Sequence, residues 1–445
     1  MGSRIVQILG SIGYESYWEL HFSIEGRRYG PYKLVASALV EHLRENGKDC
    51  SVTLLLPESL VTDLAGTLEE AEELLRDKEK LAREAERRLR DLDLVRTDFE
   101  VRVLQGVGNY PLRRDSKTTV EFVNYIDNVS SYALIGMTEA FDRDEELYFC
   151  TSTGHNAYLL ALQMALATYY AYREFIRQSA EGSGRLDLYT VYHPKPTVGR
   201  TTPVEVERTS HRAFFSFPQP RKELIADRPD ESIDLRRELS ELMGPMQGER
   251  SRAQLAFNAV RFNVPLLLTY LDPPDGEKVL RSLREALERI ERKKRISKDG
   301  DVLRVSRIRV LRSEVSAWVI IAGLSAYLSR VVRSVRATGG RIGALLGTVK
   351  RFYEEQDLHL NGYVLEHEIE QIRERAACLR PGERKPLSEV LQLKGSANMR
   401  RNFFAHAGLL AEWTLVRRLE DCEIALEYDG SNLETIKKWV QNPVA

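Results

Sequence analysis

Neither sign of charge is in excess in this 445-residue sequence, where 65 Lys and Arg stand against 66 Asp and Glu. That balance excludes a protein that grips nucleic acid over its whole exterior, so a polyanion would have to be met by local patches. Cysteine is scarce. Cys50, Cys150, Cys378 and Cys422 lie far apart with no Cys-x-x-Cys pair, which excludes a zinc knuckle or disulfide framework and reads as reduced core thiols. The common phosphate and metal signatures are missing as well. There is no Gly-Lys-Ser/Thr of a P-loop and no Gly-x-Gly-x-x-Gly in the first strand-to-helix turn. No His-Glu-x-x-His forms either, although His359 and His367 lie near Glu366, Glu368 and Glu370, and no metal site is expected. Long apolar runs are few. Thr151–Tyr172 carries no Asp, Glu, Lys or Arg, but it opens on Thr-Ser-Thr-Gly-His-Asn and includes Gln163 and Thr168. Its apolar part falls short of the ~20 residues that span a bilayer, so a helix buried under a sheet is expected, with no membrane. The chain runs almost at once into strand-like Ile5–Leu9, so no signal peptide is expected and a cytoplasmic location is read.

What is present falls into two textures. The length argues for two or three domains, and the 43% hydrophobic content is enough for well-buried cores. Residues 1–195 alternate strand and helix signals, which predicts an α/β domain with a mainly parallel sheet. The strand runs are Ile5–Leu9, Ser51–Leu56, Phe99–Leu104, Leu147–Cys150 and Leu186–Tyr192. Helical spacing covers Tyr32–Glu45, Glu121–Phe141 and Ala157–Gln178, and Thr67–Asp93 reads as a charged, solvent-facing helix laced by i,i+3 and i,i+4 pairs. From Pro194 to Pro229 the texture turns to Pro, Thr and short polar runs, a linker or extended crossover. Beyond Leu235 nearly everything is helical. The exceptions are a hairpin at Asp299-Gly300 and, near the end, a turn at Asp429-Gly430 followed by a capping box, Ser431–Glu434, opening the last helix. The division is thus 1–195, a mostly helical connecting region 196–315, and a helical domain 316–445. The Lys- and Arg-rich stretch Arg281–Arg312, with Arg330, Arg333 and Arg336 beyond it, either borders a nucleic-acid path or is a solvated helix face.

Two local patterns carry chemistry. In Asn398-Met-Arg-Arg-Asn-Phe-Phe-Ala-His-Ala-Gly408, polar Arg401, Asn402 and His406 stand among Phe403, Phe404 and Ala405. On a helix Asn402 and His406 lie ~40° apart and Arg401 ~140° from His406, so one helix cannot aim both Arg401 and His406 at one atom unless the Arg wraps round or a second copy completes the site. Histidine can move a proton near neutrality and arginine can fork onto phosphate oxygens. Metal-free RNA cleavage needs these two functions. Taken alone, the same residues also fit a surface ion pair and a satisfied core histidine. The second pattern is a pair of loops after strands. Gly10-Ser-Ile-Gly13 follows the first, and Thr151-Ser-Thr-Gly-His-Asn156 joins a strand to a long helix. Hydroxyls, glycines and a helix start suit a phosphate or nucleotide, and equally an N-cap that merely starts the helix.

Both patterns resemble one family. Arg401-Asn-x-x-x-His406 resembles the Arg–His signature of HEPN ribonucleases. Val52–Val61 and Tyr148–Asn156 resemble the second strand and the late strand with its ligand loop in the Rossmann-like CARF domains of CRISPR-associated CARF–HEPN accessory ribonucleases. In that loop the family commonly has Asp-x-Thr-His-Gly-x-Asn. Here Cys150, Ser152 and Thr153 occupy the Asp, Thr and His places, and a histidine follows the glycine, at His155. The resemblance implies an α/β CARF domain followed by an all-α HEPN domain. It implies a cyclic oligoadenylate activator, with cyclic tetra-adenylate the expected ring, supplied by a type III CRISPR effector complex. Gly10, Ser11, Gly13, Ser152, Thr153, Gly154, His155 and Asn156 would bind it. Arg401, Asn402 and His406 would cut single-stranded RNA without metal or other required cofactor, leaving 2′,3′-cyclic phosphate ends, in a homodimer or an oligomer of dimers. Two other functions fit the same features: a non-enzymatic regulator whose HEPN-like helices only dimerise, and a ring nuclease that degrades the activator.

Overall fold

Strands that are apolar on both sides need helices over both faces of their sheet, and the first half of the chain is built that way. The computed structural model describes residues 2–12, 18–141, 146–151, 156–179, 187–194, 197, 199–209, 215–221, 223–226, 233–393 and 398–443. In order, its strands are β1 (Ser3–Ile8), β2 (Leu20–Ile24), β3 (Arg27–Tyr32), β4 (Cys50–Pro57), β5 (Phe99–Leu104), β6 (Gly108–Leu112), β7 (Asp115–Val123), β8 (Glu146–Cys150), β9 (Asp187–Tyr192) and β10 (Thr201–Thr209). Eight of these form one sheet in the order β3-β2-β10-β9-β8-β1-β4-β5. The run β9-β8-β1-β4-β5 is parallel throughout and corresponds to the apolar strands read from the sequence. β10 turns antiparallel to β9, and the β2–β3 hairpin closes that side.

Helices α1 (Val35–Glu45), α2 (Val61–Leu64), α3 (Leu68–Arg76), α4 (Lys78–Asp91), α5 (Ile126–Ala140) and α6 (Asn156–Ser179) follow within this half. Ile5, Val52, Leu54 and Cys150 face a core shared with α1 and α4, while Val6, Ile8, Leu55 and Phe149 face one shared with α5 and α6. The chain therefore moves from β1 to β4 and β5 across one face, then reaches β8 and β9, on the other side of β1, across the opposite face. The crevice at the carboxyl ends of β1 and β8 is the topological switch point, the usual ligand site of such sheets.

Several elements differ from the sequence reading. Thr67–Asp93 is two helices, because Asp77 leaves the helix and its carboxylate accepts the Lys80 N–H at 2.8 Å to cap the second. Glu121–Val123 ends β7 rather than starting a helix, since Val120 and Phe122 alternate into a satellite core. β10 falls within the Pro- and Thr-rich stretch read as linker or crossover. Cys50 and Cys150 are buried thiols, but Cys378 and Cys422 are free and exposed, so the core-thiol reading holds only for the first two.

The second half contributes α7 (Ile233–Arg261), α8 (Gly276–Arg292), the hairpin β11 (Arg295–Asp299) and β12 (Val302–Ser306), and α9 (Arg312–Ala337). β12 pairs with β7, which makes a second sheet, β11-β12-β7-β6, from both halves of the chain. Among the described residues α9 is the one helix long and apolar enough to cross a membrane, and 72% of its apolar window is buried inside the protein. Then come α10 (Ile342–Glu355), α11 (His359–Ala376), β13 (Arg384–Pro386), α12 (Leu387–Leu391), α13 (Met399–Ala405), β14 (Thr414–Arg418), β15 (Ile424–Tyr428) and α14 (Leu433–Gln441). This region is mainly helical, with a small antiparallel sheet, β13-β14-β15, that helical periodicity did not announce. The capping box does not form. Asp429 instead accepts the Ser431 N–H at 3.2 Å, capping a 3₁₀ turn, and Asn432 precedes α14 without a side-chain cap bond.

Several cations of the basic stretch Arg281–Arg312 pair with carboxylates of the first half, Arg284 with Glu139, Lys298 with Glu69, Arg304 with Glu121 and Arg309 with Asp127, while Arg289, Arg292 and Lys293 pair within the second half. At its centre Arg307 is buried. Its Nη2 lies 2.7 Å from Glu58 Oε1 and 3.0 Å from Glu291 Oε1. The Gly106 N–H donates to Glu58 Oε2 at 2.9 Å, and Gln105 donates to Glu291 at 2.6 Å. Burial disfavours the Glu58 charge, but Arg307, with Lys294 and Lys78, more than offsets it and holds the carboxyl below the usual range. Removing one partner of such a pair strands a buried charge. Arg307→Ala is expected to cost about 3–5 kcal/mol in urea unfolding at neutral pH. Because the folded Glu58 pKa is depressed, the wild-type advantage is complete above the ordinary carboxylate pKa and shrinks as pH falls through the lowered value. An unchanged unfolding midpoint at neutral pH would contradict the arrangement.

Candidate functional site

The sequence-singled residues gather at two places. The first is the switch-point crevice, where β1 and β8 lie side by side with Gln7 opposite Cys150. Gly10 and Ser11 leave the end of β1, Thr151 leaves β8, and exposed Asn156 begins α6. The Ser11 hydroxyl donates to Asp63 Oδ2 at 3.0 Å, and the Ile12 N–H donates to the same oxygen at 3.1 Å. A carboxylate from the exit of β4 thus pins the first loop, a role the sequence reading missed because Asp63 belongs to no motif. Across the crevice, the Thr151 N–H donates to the Val191 carbonyl at 2.9 Å. Gly13, Ser152, Thr153, Gly154 and His155 lie outside the described residues. Cys150, standing where the resembling loops carry Asp, is buried, and burial pushes its thiol far above the ordinary range.

The second place is built on α13. The Asn398 side chain accepts the Arg401 N–H at 3.2 Å and caps the helix start. Phe403, fully buried, packs on Phe404, Tyr428 and Trp439 and fixes how the helix lies on the core. The helix then stops abruptly. His406 is its C-cap, Ala407 has φ 51° and Gly408 φ 75°, and the Gly408 N–H reaches back to the Phe403 carbonyl at 2.8 Å. This six-to-one closure sets His406 at the last turn, with its backbone N–H still bonded to Asn402 at 3.0 Å.

Asn402 and His406 both line a cleft of about 410 Å³, with Glu368, Glu374 and Arg375 of α11 and Glu412. Arg401 is exposed and is not among the lining residues, so one protomer brings Asn402 and His406 together and leaves Arg401 aside. The His406 Nδ1 lies 3.0 Å from Glu368 Oε1, while the imidazole is 52% and the carboxylate 16% exposed. The cleft can therefore offer an oriented imidazole and an amide, with Arg375 the cation on its own wall. Glu368 and Arg375 were not picked out as site residues from the sequence. They stand in a Glu- and Arg-rich helix that reads as a solvated face. Among the described residues, no group of three or more His, Cys, Asp or Glu is placed to hold a metal ion.

Compared with protein-family models, residues 5–189 match that of the CARF domain of the CRISPR system endoribonuclease Csx1, and residues 358–430 match that of its HEPN domain. The first match contains the whole crevice, the second contains the cleft residues of α11 and α13. No curated protein matches the chain.

The loop that ends α13 has no room for a side chain at Gly408. A Cβ there would come within 2.6 Å of Val264 Cγ1 and 3.1 Å of the Tyr428 hydroxyl oxygen, at a φ that disfavours L residues. Gly408→Ala is expected to cost about 1–3 kcal/mol by overpacking, read as an earlier urea midpoint, and to lower any activity that depends on His406. Unchanged stability would contradict this placement of the loop.

Proposed function

The chain belongs to the CARF–HEPN family of CRISPR-associated accessory ribonucleases, and from that premise we propose that it is an endoribonuclease switched on by a cyclic oligoadenylate. The observation that carries the reading is the His406–Asn402 cleft, present in the same chain as a switch-point crevice and joined to it by shared helices. The sensor is residues 1–195, its sheet completed by β10 from the connecting region 196–315, and the ribonuclease is 316–445. The activator, with cyclic tetra-adenylate the first ring to test, binds along Gly10, Ser11 and Gly13 and along Ser152–Asn156. It comes from a type III effector complex in the same cytoplasm.

In the cleft His406 takes the 2′-hydroxyl proton, the 2′-oxygen closes on phosphorus, and the 5′-oxygen leaves with a proton, giving a 2′,3′-cyclic phosphate without metal. Asn402 holds the phosphate or the ring. Arg401 does not line its own cleft, which favours a homodimer in which two α13 helices meet about a two-fold axis and the cations of both flank one RNA. A symmetric ring bound across a symmetric pair of crevices suits the same axis.

RNA cleavage by the full-length protein tests this. His406→Ala is expected to lose at least about 100-fold in activated cleavage, with activator affinity within a few-fold of wild type, because the two sites are separate. Asn156→Ala is expected to raise the activator concentration for half-maximal cleavage. Chelator should leave the wild-type rate unchanged. A requirement for a divalent ion, or activity retained by His406→Ala, would overturn the reading.

A further inference from the structure

Resting on the ribonuclease reading, we propose that Glu368 is the positioning residue that sets the tautomer of His406, leaving Nε2 as the nitrogen that receives the 2′-hydroxyl proton. An ionised carboxylate can only accept a hydrogen bond. With Glu368 Oε1 at 3.0 Å from Nδ1, the neutral imidazole must carry its proton on Nδ1, and its lone pair lies on Nε2. Left to water, an imidazole prefers the opposite tautomer, so the partner changes which atom is basic.

The two sides of the contact are both held rigidly. Glu368 rises from α11, which is anchored in the C-terminal core by Leu365, Ile369 and Ile372, and His406 ends a helix anchored by Phe403. Positioning of this kind depends on such support. Glu374 and Arg375 from α11 and Glu412 from the loop after α13 also face the cleft. Among the described residues, Glu368 is the charged group bonded to the ring.

The step balances within the cleft. The proton of the 2′-hydroxyl passes to Nε2 as the P–O2′ bond forms. The imidazolium is then paired with the Glu368 carboxylate, and the proton goes on to the 5′-oxygen as the P–O5′ bond breaks. Glu368 touches neither RNA nor phosphorus. It acts through His406.

Full-length wild type, Glu368→Gln and Glu368→Ala, each saturated with the ring that activates wild type, separate this role from a structural one. Glu368→Ala is expected to lower kcat on the order of 10²-fold with KM within about twofold, since RNA binding is left alone. Glu368→Gln, which can still accept from Nδ1 but carries no charge, is expected to fall between the two. Imidazole ¹⁵N spectra of histidine-labelled protein, with His406→Ala identifying the signal, should show a bare Nε2 in neutral wild type and a protonated Nε2 in Glu368→Ala. Unchanged activator affinity in each variant reports an intact fold. Wild-type kcat in Glu368→Ala, or Nε2–H in the wild-type ring, overturns the proposal while leaving the ribonuclease reading in place. Cleavage that survives His406→Ala overturns both.

Discussion

Helix α9, together with α6 and α7, enters both main cores and ties the two halves of the molecule to each other. Its 26 residues make a rod of about 39 Å. Val315, Trp318, Val319 and Ile321 toward its start pack with α5 and α6 beneath the sheet, and Leu324, Tyr327, Leu328, Val331 and Val335 toward its end pack with α10, α11 and Phe403. At about 1.5–3 kcal/mol for each large apolar side chain buried, neither half of the protein can release this helix cheaply. Two glycines let neighbours come close enough. A Cβ on Gly276 would sit 2.2 Å from the Ala322 carbonyl oxygen, and one on Gly323 would press on Tyr172 and Phe175 of α6. α8 and α6 thus each pack closely on α9, a contact with little room to deform.

That continuity gives the proposed switch a physical basis. The crevice lies where β1 and β8 end, and the neighbouring exit of β4 leads through Asp63 and Glu58 to the buried Arg307, which also holds the last turn of α8. α8 packs on α9, and α9 reaches the core on which α11 and α13 rest. A ligand in the crevice shifts the far cleft only by binding one arrangement of this assembly more tightly than another. The contact between His406 and Glu368 is already made in one protomer, whereas Arg401 stands apart from it. In the proposed dimer, the step left for activation would be to bring two protomers' cations and imidazoles round one RNA, not to build the imidazole's orientation.

How legible this was depended on whether the signal was local. The parallel strands were readable because β1, β4 and β8 are short, largely buried apolar runs and β5 alternates apolar and polar residues. The β2–β3 hairpin was not, since β3 reads Arg-Arg-Tyr-Gly-Pro-Tyr at the sheet edge, and β10 carries Pro203 among threonines and glutamates, a texture that looks like a linker. Glu121–Val123, the end of β7, reads as helix because it runs on toward α5. In the C-terminal region Arg401, Asn402 and His406 stood out as polar residues in an apolar segment, but the angular argument assumed a helix through His406, whereas α13 ends at Ala405 with His406 as its C-cap. Glu368 is 38 residues away on another helix. With Glu366 and Glu370 beside it, nothing in its own surroundings marks it. Only the fold of α11 against α13 makes it a partner of the histidine. Asp63 and Arg307 were hidden for the same reason, since their partners lie elsewhere in the sequence, on the loop after β1, the turn after β4 and the end of α8.

The central claim is that occupancy of the crevice governs cutting in the distant cleft. The most direct measurement is the rate of cleavage of an unstructured RNA by the purified full-length protein, alone and with cyclic tri-, tetra- or hexa-adenylate at a concentration well above the protein's. Low basal cleavage, raised at least about tenfold by one ring and not by the linear oligoadenylate of the same length, is the result that the coupling requires. Cleavage at the same rate with and without every ring would contradict it.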